Sequence, residues 1–313
     1  MRIISLHPFA TDILDYCGIG WNLVGLTHVC SVPKNSAKAK IVTGGPNQKF
    51  LVTAPELKDV ANGLSTFQID IEQIIDRIPD VILADVIHPD KESFIPWAEE
   101  ILKRQLGKSV TIRHLALNTL EEVYSAIQSV GQLINKPRLA DKLVVDIQKH
   151  ISEWRDAYSH LCKGKKVVLL SDTTPLIAET GWVDDLVHLF GALTLGLKSP
   201  GHCVEVTWRE IVEGRPDVLF VAPHNAYLDQ SVRRLPALET SEGWEDLPAV
   251  KRGAVFFAPG TDLYRPGPRF LKGVAALVAA IAGMDRPIFH DQNESYQIRH
   301  VEMFRHKLLE HRG

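Results

Sequence analysis

The feature that most constrains this chain is a sentence it carries twice. Residues 79–88 read PDVILADVIH and residues 216–224 read PDVLFVAPH. The match extends upstream at one offset. Asp70 pairs with Thr207, Gln73 with Glu210, Ile74 with Ile211, Ile75 with Val212, Pro79 with Pro216 and Asp80 with Asp217. Asp70 and Thr207 are N-cap residue types, and the Gln or Glu three positions on completes a capping box. Each helix must end at its proline, because the residue before proline avoids the α region. A short run of Val, Ile, Leu and Phe follows, as a buried parallel strand requires. The chain therefore holds two helix–turn–strand units of one design, each ending near a histidine.

The 313 residues are long for one hydrophobic core and comfortable for two. Both halves open alike, RIISL followed by HPFATD and KKVVLL followed by SDTTP. Between them, from Pro137 to Leu161, apolar residues recur at Leu139, Leu143, Ile147, Ile151, Trp154, Tyr158 and Leu161. That spacing predicts one amphipathic helix of about 37 Å at 1.5 Å per residue, entered through a first-turn proline. The expected organisation is an α/β lobe over 1–136, a connecting helix over 137–161, a second α/β lobe over 162–283, and a charged, His-bearing C-terminal helix or tail over 284–313. Each lobe would be Rossmann-like around a mostly parallel sheet, with a ligand cleft between the two and little freedom to hinge.

Charge narrows the partners. Thirty-five basic against 38 acidic residues give a net charge of -3, which offers no footprint for nucleic acid. No apolar run reaches the roughly 20 residues of a membrane helix. The strand-like MRIISLHP at the start leaves no room for a signal peptide, so a cytoplasmic protein is expected, or a periplasmic one if a leader was removed. Cys17, Cys30, Cys162 and Cys203 lack paired spacings and suit reduced thiols. GALTLGLKS misplaces the lysine of a phosphate loop, and no G-x-S-x-G occurs.

Ligands of such sheets lie beyond the carboxyl ends of parallel strands. The loops expected there carry Pro8, Phe9, His28, Cys30, His88, Trp182, His202, Cys203, His224, Tyr227, Tyr264 and Arg265. Phe9, Trp182, Tyr227 and Tyr264 would serve a ligand with broad apolar faces. His28, Cys30, His88, His202, Cys203 and His224 are the candidate metal ligands, with none of the spacings of a closed zinc site. Cys30 beside His28 lacks the third, orienting group of a nucleophile. Arg265 could bond an anion or cap carbonyls.

The opening RIISLHPFATDILDYCGIGWNLVGLT resembles one family, as do the capped helix leading into PDVILA, its repeat TWREIVEGRPDVLFVAP, and LPAVKRGAVFFAPGTDLYRPGPR. It is the cobalamin- and iron-siderophore-binding proteins of ABC importers, in particular a leaderless cobalamin-binding branch. HVCSVP at 28–33 departs from that branch's usual acidic and aromatic residues. The resemblance implies a non-catalytic binding protein needing no cofactor, with a corrinoid or another large metal chelate as its small-molecule ligand. An importer permease would be a partner only if the chain is exported. Two alternatives stay open: direct binding of zinc or iron by His and Cys, and a metal-dependent enzyme or maturation factor.

Overall fold

A computed structural model describes residues 1–44, 50, 52, 54–195, 203–284 and 303–306. The chain divides into two compact units. The first comprises Met1–Ala116 and Ala126–Asp141, and the second comprises Leu117–Ser125 and the chain from Lys142 onward. The predicted stem is a helix, Pro137–Cys162. The boundary between units falls inside it, and also inside the preceding helix Leu120–Leu133, so two helices pass from unit to unit.

In the first unit the strands are β1 (Ile3–Ser5), β2 (Leu23–Leu26), β3 (Lys40–Ile41), β4 (Thr43–Gly44), β5 (Gln68–Ile69), β6 (Val81–Ala84) and β7 (Thr111–His114). Five form an all-parallel sheet in the order β3-β2-β1-β6-β7, while β4 and β5 pair separately. Every residue of β6 is buried, as its unbroken apolar run requires. Ile4, Ile82, Ala84 and Ile112 from the sheet pack with Leu57, Val60, Phe94 and Ile101 from flanking helices.

The second unit contains β8 (Lys166–Thr173), β9 (Leu176–Glu179), β10 (Leu193–Thr194), β11 (Cys203–Glu205), β12 (Val218–Val221), β13 (Val255–Phe257) and β14 (Phe304–His306). The order is β11-β9-β8-β12-β13-β14, with β10 also on β8. β8, β12 and β13 run parallel, whereas β9, β11 and β14 are antiparallel to their neighbours. The sequence pattern leaves the C-terminal extension as a helix or a tail. Among its described residues, Phe304–His306 form an edge strand, held by Arg305 Nε donating to the Gly253 carbonyl and by the Arg305 guanidinium over the Phe256 ring.

The sequence repeat is a repeat of bonds. The Asp70 carboxylate accepts the Gln73 N–H at 3.1 Å, and Thr207 with Glu210 completes the capping box. Ile78 and Arg215, each just before its proline, take φ of +46° and +48°. That left-handed conformation costs an L-residue about 1–2 kcal/mol. It turns each helix into its strand. Asp80 then accepts the Arg2 N–H at 2.6 Å and pairs with Lys108; Asp217 accepts the Lys166 N–H at 3.0 Å and pairs with Arg252. In both units one carboxylate joins the starts of three adjacent strands.

Replacing Asp80 or Asp217 by Ala is expected to cost roughly 0.5–1.5 kcal/mol in urea unfolding, since a backbone N–H and a cation each exchange their acceptor for water. The Lys108 hydrogen bond holds the Asp80 carboxyl below the usual carboxylate range. A depressed folded value gives stability that is present at neutral pH and lost as pH falls through it. Asp80→Asn is therefore expected to flatten the acid limb of the stability curve.

Candidate functional site

The two histidines that end the repeated sentence sit just past the central parallel strands β6 and β12. Each lines a cavity in its own unit.

In the first unit, Ile87 and His88 hang their backbone N–H groups on the Gly63 carbonyl, at 3.0 and 3.3 Å. The His88 ring stacks on Phe94 with centroids 4.7 Å apart and planes within 11°. Phe94 in turn meets Trp97 at 5.8 Å, both on the helix Lys91–Leu106. A Cβ at position 63 would overlap the Phe94 ring, so glycine is what admits this aromatic column. His88 Nδ1 faces the backbone of Asp90, 3.0 Å from its carbonyl and 3.2 Å from its N–H, which leaves Nε2 for a ligand. Asp59, Asn62, Ile87, Ser93 and Trp97 complete a groove of about 710 Å³. Trp97 is 38% exposed and Ile87 42%, so the groove offers open apolar surface. The sequence reading missed Trp97 because it lies within a helix rather than a loop. Its signal was a tryptophan three residues after Phe94.

In the second unit, His224 Nε2 lies 2.7 Å from Glu179 Oε1. The carboxylate is 3% exposed and the imidazole 49%, so a buried anion fixes an accessible ring. A buried carboxylate needs a partner with good geometry, and His224 supplies it. With Nε2 donating, Nδ1 is left to the cavity. Tyr264 stacks on the same ring at 4.2 Å and 16°. Its hydroxyl is buried without a hydrogen-bond partner, and burial, then the charge of Glu179, push its pKa far up. A Cβ at Gly260 would overlap the Pro223 carbonyl, so glycine allows the short helix Gly260–Leu263 before Tyr264 to lie on the loop bearing His224. The cavity, of about 480 Å³, is lined by Asp172, Pro223, His224, Asn225, Gln230, Arg233 and Arg234, with Ala226. Arg265 is buried and donates to Asn225 Oδ1 at 3.0 Å, a supporting role. Glu179 went unrecognised because nothing local marks a loop-edge glutamate as buried.

Several sequence candidates are placed elsewhere. Phe9 is fully buried in the helix Pro8–Tyr16, entered through a likewise buried Pro8 and capped by His7, whose Nδ1 accepts the Phe9 N–H at 3.2 Å. Trp182 is 5% exposed at the start of its own helix, its ring edge-on to Phe270 at 5.3 Å. Neither presents an apolar face to a ligand; both are core residues. Tyr227, by contrast, is 60% exposed.

Among the described residues the metal candidates form no cluster. His28 is exposed, with Nδ1 2.9 Å from Thr43 Oγ1 and its edge against Phe67. Cys30 Sγ lies between the hydroxyls of Thr11 and Thr27, at 3.1 and 2.9 Å. Burial, then the charge of Glu179, raise the Cys203 pKa. Among the described residues no three His, Cys, Asp or Glu side chains group to hold an ion. His202 lies outside the described residues.

The profile of the family described as "Periplasmic binding protein" matches residues 3–261. An ABC transporter substrate-binding lipoprotein of Bacillus subtilis is 24% identical over 288 residues, covering 90% of this chain and 79% of its own. A vitamin B12-binding protein of Vibrio vulnificus is 25% identical over 293 residues, covering 91% of each chain. The crystal structure of a periplasmic heme-binding protein from Pseudomonas aeruginosa superposes with a TM-score of 0.66 at 19% identity, over 92% of this chain and 95% of its own. These relatives give the expected cytoplasmic location no support. Among the described residues, no helix is long and apolar enough to cross a membrane.

The reassigned tryptophans can be separated by stability. Trp182→Ala is expected to cost about 3–5 kcal/mol in chemical unfolding, as for a large core aromatic. Trp97→Ala should change stability far less, because that side chain already faces solvent.

Proposed function

Because this chain belongs to the periplasmic binding protein family, we propose that it is a non-catalytic binding protein for a large, flat metal chelate, a corrinoid or an iron tetrapyrrole, and that it presents this cargo to an ABC importer. The observation that carries the reading is the groove beside β6. Its volume of about 710 Å³ lies within the usual range of ligand sites, 300–1,000 Å³. The lining pairs open apolar surface, Trp97 and Ile87, with an imidazole whose Nε2 is uncommitted. A flat ring system with a central metal uses both: its face buries against aromatic carbon, and its metal accepts a nitrogen. The relatives named for vitamin B12 and heme support that ligand class. The family and the lipoprotein and periplasmic relatives support work outside the cytoplasm, next to a permease.

The family and its transporter relatives favour a binding role over a metal-dependent enzyme. Direct capture of a bare metal ion is the weaker reading, because the soft ligands stand apart in the described residues.

Titration with cyanocobalamin and with hemin, followed by tryptophan fluorescence and visible absorption, tests the proposal. Saturable, stoichiometric binding of at least one is expected. Burying an aromatic side chain contributes roughly 1.5–3 kcal/mol, so Trp97→Ala should weaken that binding about tenfold or more. His88→Ala should remove any shift of the metal's absorption band that an imidazole ligand produces. Binding of zinc alone, with neither chelate taken up, would overturn the proposal.

A further inference from the structure

The groove beside β6 holds one nitrogen in place before any ligand arrives. The His88 backbone hangs on the Gly63 carbonyl, and its ring stacks on Phe94 at 4.7 Å. Nδ1 lies 3.0 Å from the Asp90 carbonyl, and in the tautomer that donates to it the lone pair stands on Nε2. A metal-ligating histidine is built this way, its second nitrogen spent on an acceptor that fixes ring and tautomer. Among the described lining residues the other ionisable group is Asp59, which is exposed, and the remaining polar side chains are those of Asn62 and Ser93. This rim offers one negative charge, an amide and a hydroxyl, and its described residues supply no ammonium or guanidinium.

We propose that this groove selects chelates whose metal keeps an exchangeable axial position and whose rim carries amides rather than carboxylates: a corrinoid that lacks its own lower base. The inference rests on the chelate-binding reading above and narrows it. It needs the first unit alone. In cyanocobalamin a tethered benzimidazole fills one axial position of the cobalt and cyanide fills the other. His88 could bond that cobalt only by displacing one of them. A base-free cyanocobinamide carries water in the lower position instead. The Nε2 lone pair enters as the water leaves, and the cobalt keeps its oxidation state. Ring and amide rim are common to both ligands and cannot set them apart; the axial bond can. At the rim, a primary amide finds an acceptor in Asp59 and both kinds of partner in Asn62 and Ser93. The propionates of an iron porphyrin would instead meet the like charge of Asp59, an unfavourable juxtaposition.

Titration of the full chain with aquocyanocobinamide, dicyanocobinamide, cyanocobalamin and hemin, followed by visible absorption, decides the matter. Aquocyanocobinamide should bind about tenfold more tightly than each of the other three, or better, the scale on which metal affinity responds to its ligand shell. Its absorption bands should shift on binding, as nitrogen replaces water on cobalt. His88→Ala, its fold checked by circular dichroism, should lose the shift and bind aquocyanocobinamide about tenfold more weakly or worse. Dicyanocobinamide, with both axial positions filled, makes the same test on the wild type and so does not depend on the variant folding. Equal affinity for the two cobinamides, or a bound spectrum identical to the free one, would overturn the inference while leaving the chelate reading intact. So would hemin or cyanocobalamin binding more tightly than aquocyanocobinamide. Failure of all four probes to bind would overturn both.

Discussion

Each unit is organised around one aspartate. In a parallel sheet, adjacent strands begin at the same edge but arrive from distant parts of the chain, and nothing local sets their register. Asp80 and Asp217 solve this by chemistry. The carboxylate takes the N–H that opens the unit's first strand and a cation from just before the third, while its own backbone enters the second. The peptide groups reinforce the join, since the Asp80 and Asp217 N–H groups donate to the carbonyls of Arg2 and Lys166, both at 2.8 Å. With the strand starts tied together, strand ends of similar length finish at one edge. That is where His88 and His224 emerge.

The fold was legible because its determinants are short in range. Capping residues, a helix-stopping proline and a four-residue apolar run all act within a few positions, and both copies formed as read. One detail ran deeper than the rule behind it. Proline was expected to push the preceding residue out of the α region, but the structure sends Ile78 and Arg215 to the left-handed side. The C-terminal strand was not legible. Three residues on a sheet edge get their hydrogen bonds from β13, almost fifty positions away, and leave no periodicity of their own.

The site was half legible, for a related reason. Topology places loops at the ligand-facing edge, so the two histidines followed from the repeat. Whether an aromatic faces out depends on its packing partner, which sequence does not give. Trp182 starts a helix that turns it onto Phe270, while Trp97 lies on the open side of a helix whose other face carries Ala98 and Ile101 into the core. Glu179 shows the same limit, being a charged residue whose burial is offset by a histidine from the loop after another strand. The two histidines also show what duplication leaves free. They lie one position out of register, and one ring is oriented by a neighbouring backbone and the other by a buried anion, so they expose opposite nitrogens.

Gly260 gives the arrangement an unusual dependence. At this position the close approach of the Pro223 carbonyl excludes even one methyl group, and the obstructing atom belongs to the main chain, which no rotamer change can move. Most residues around a binding surface can drift in identity while their neighbours adjust. Here the local alphabet has one letter. The stack of Tyr264 on His224 depends on that one residue, because the contact that sets the short helix Gly260–Leu263 on the His224 loop leaves no room for a side chain.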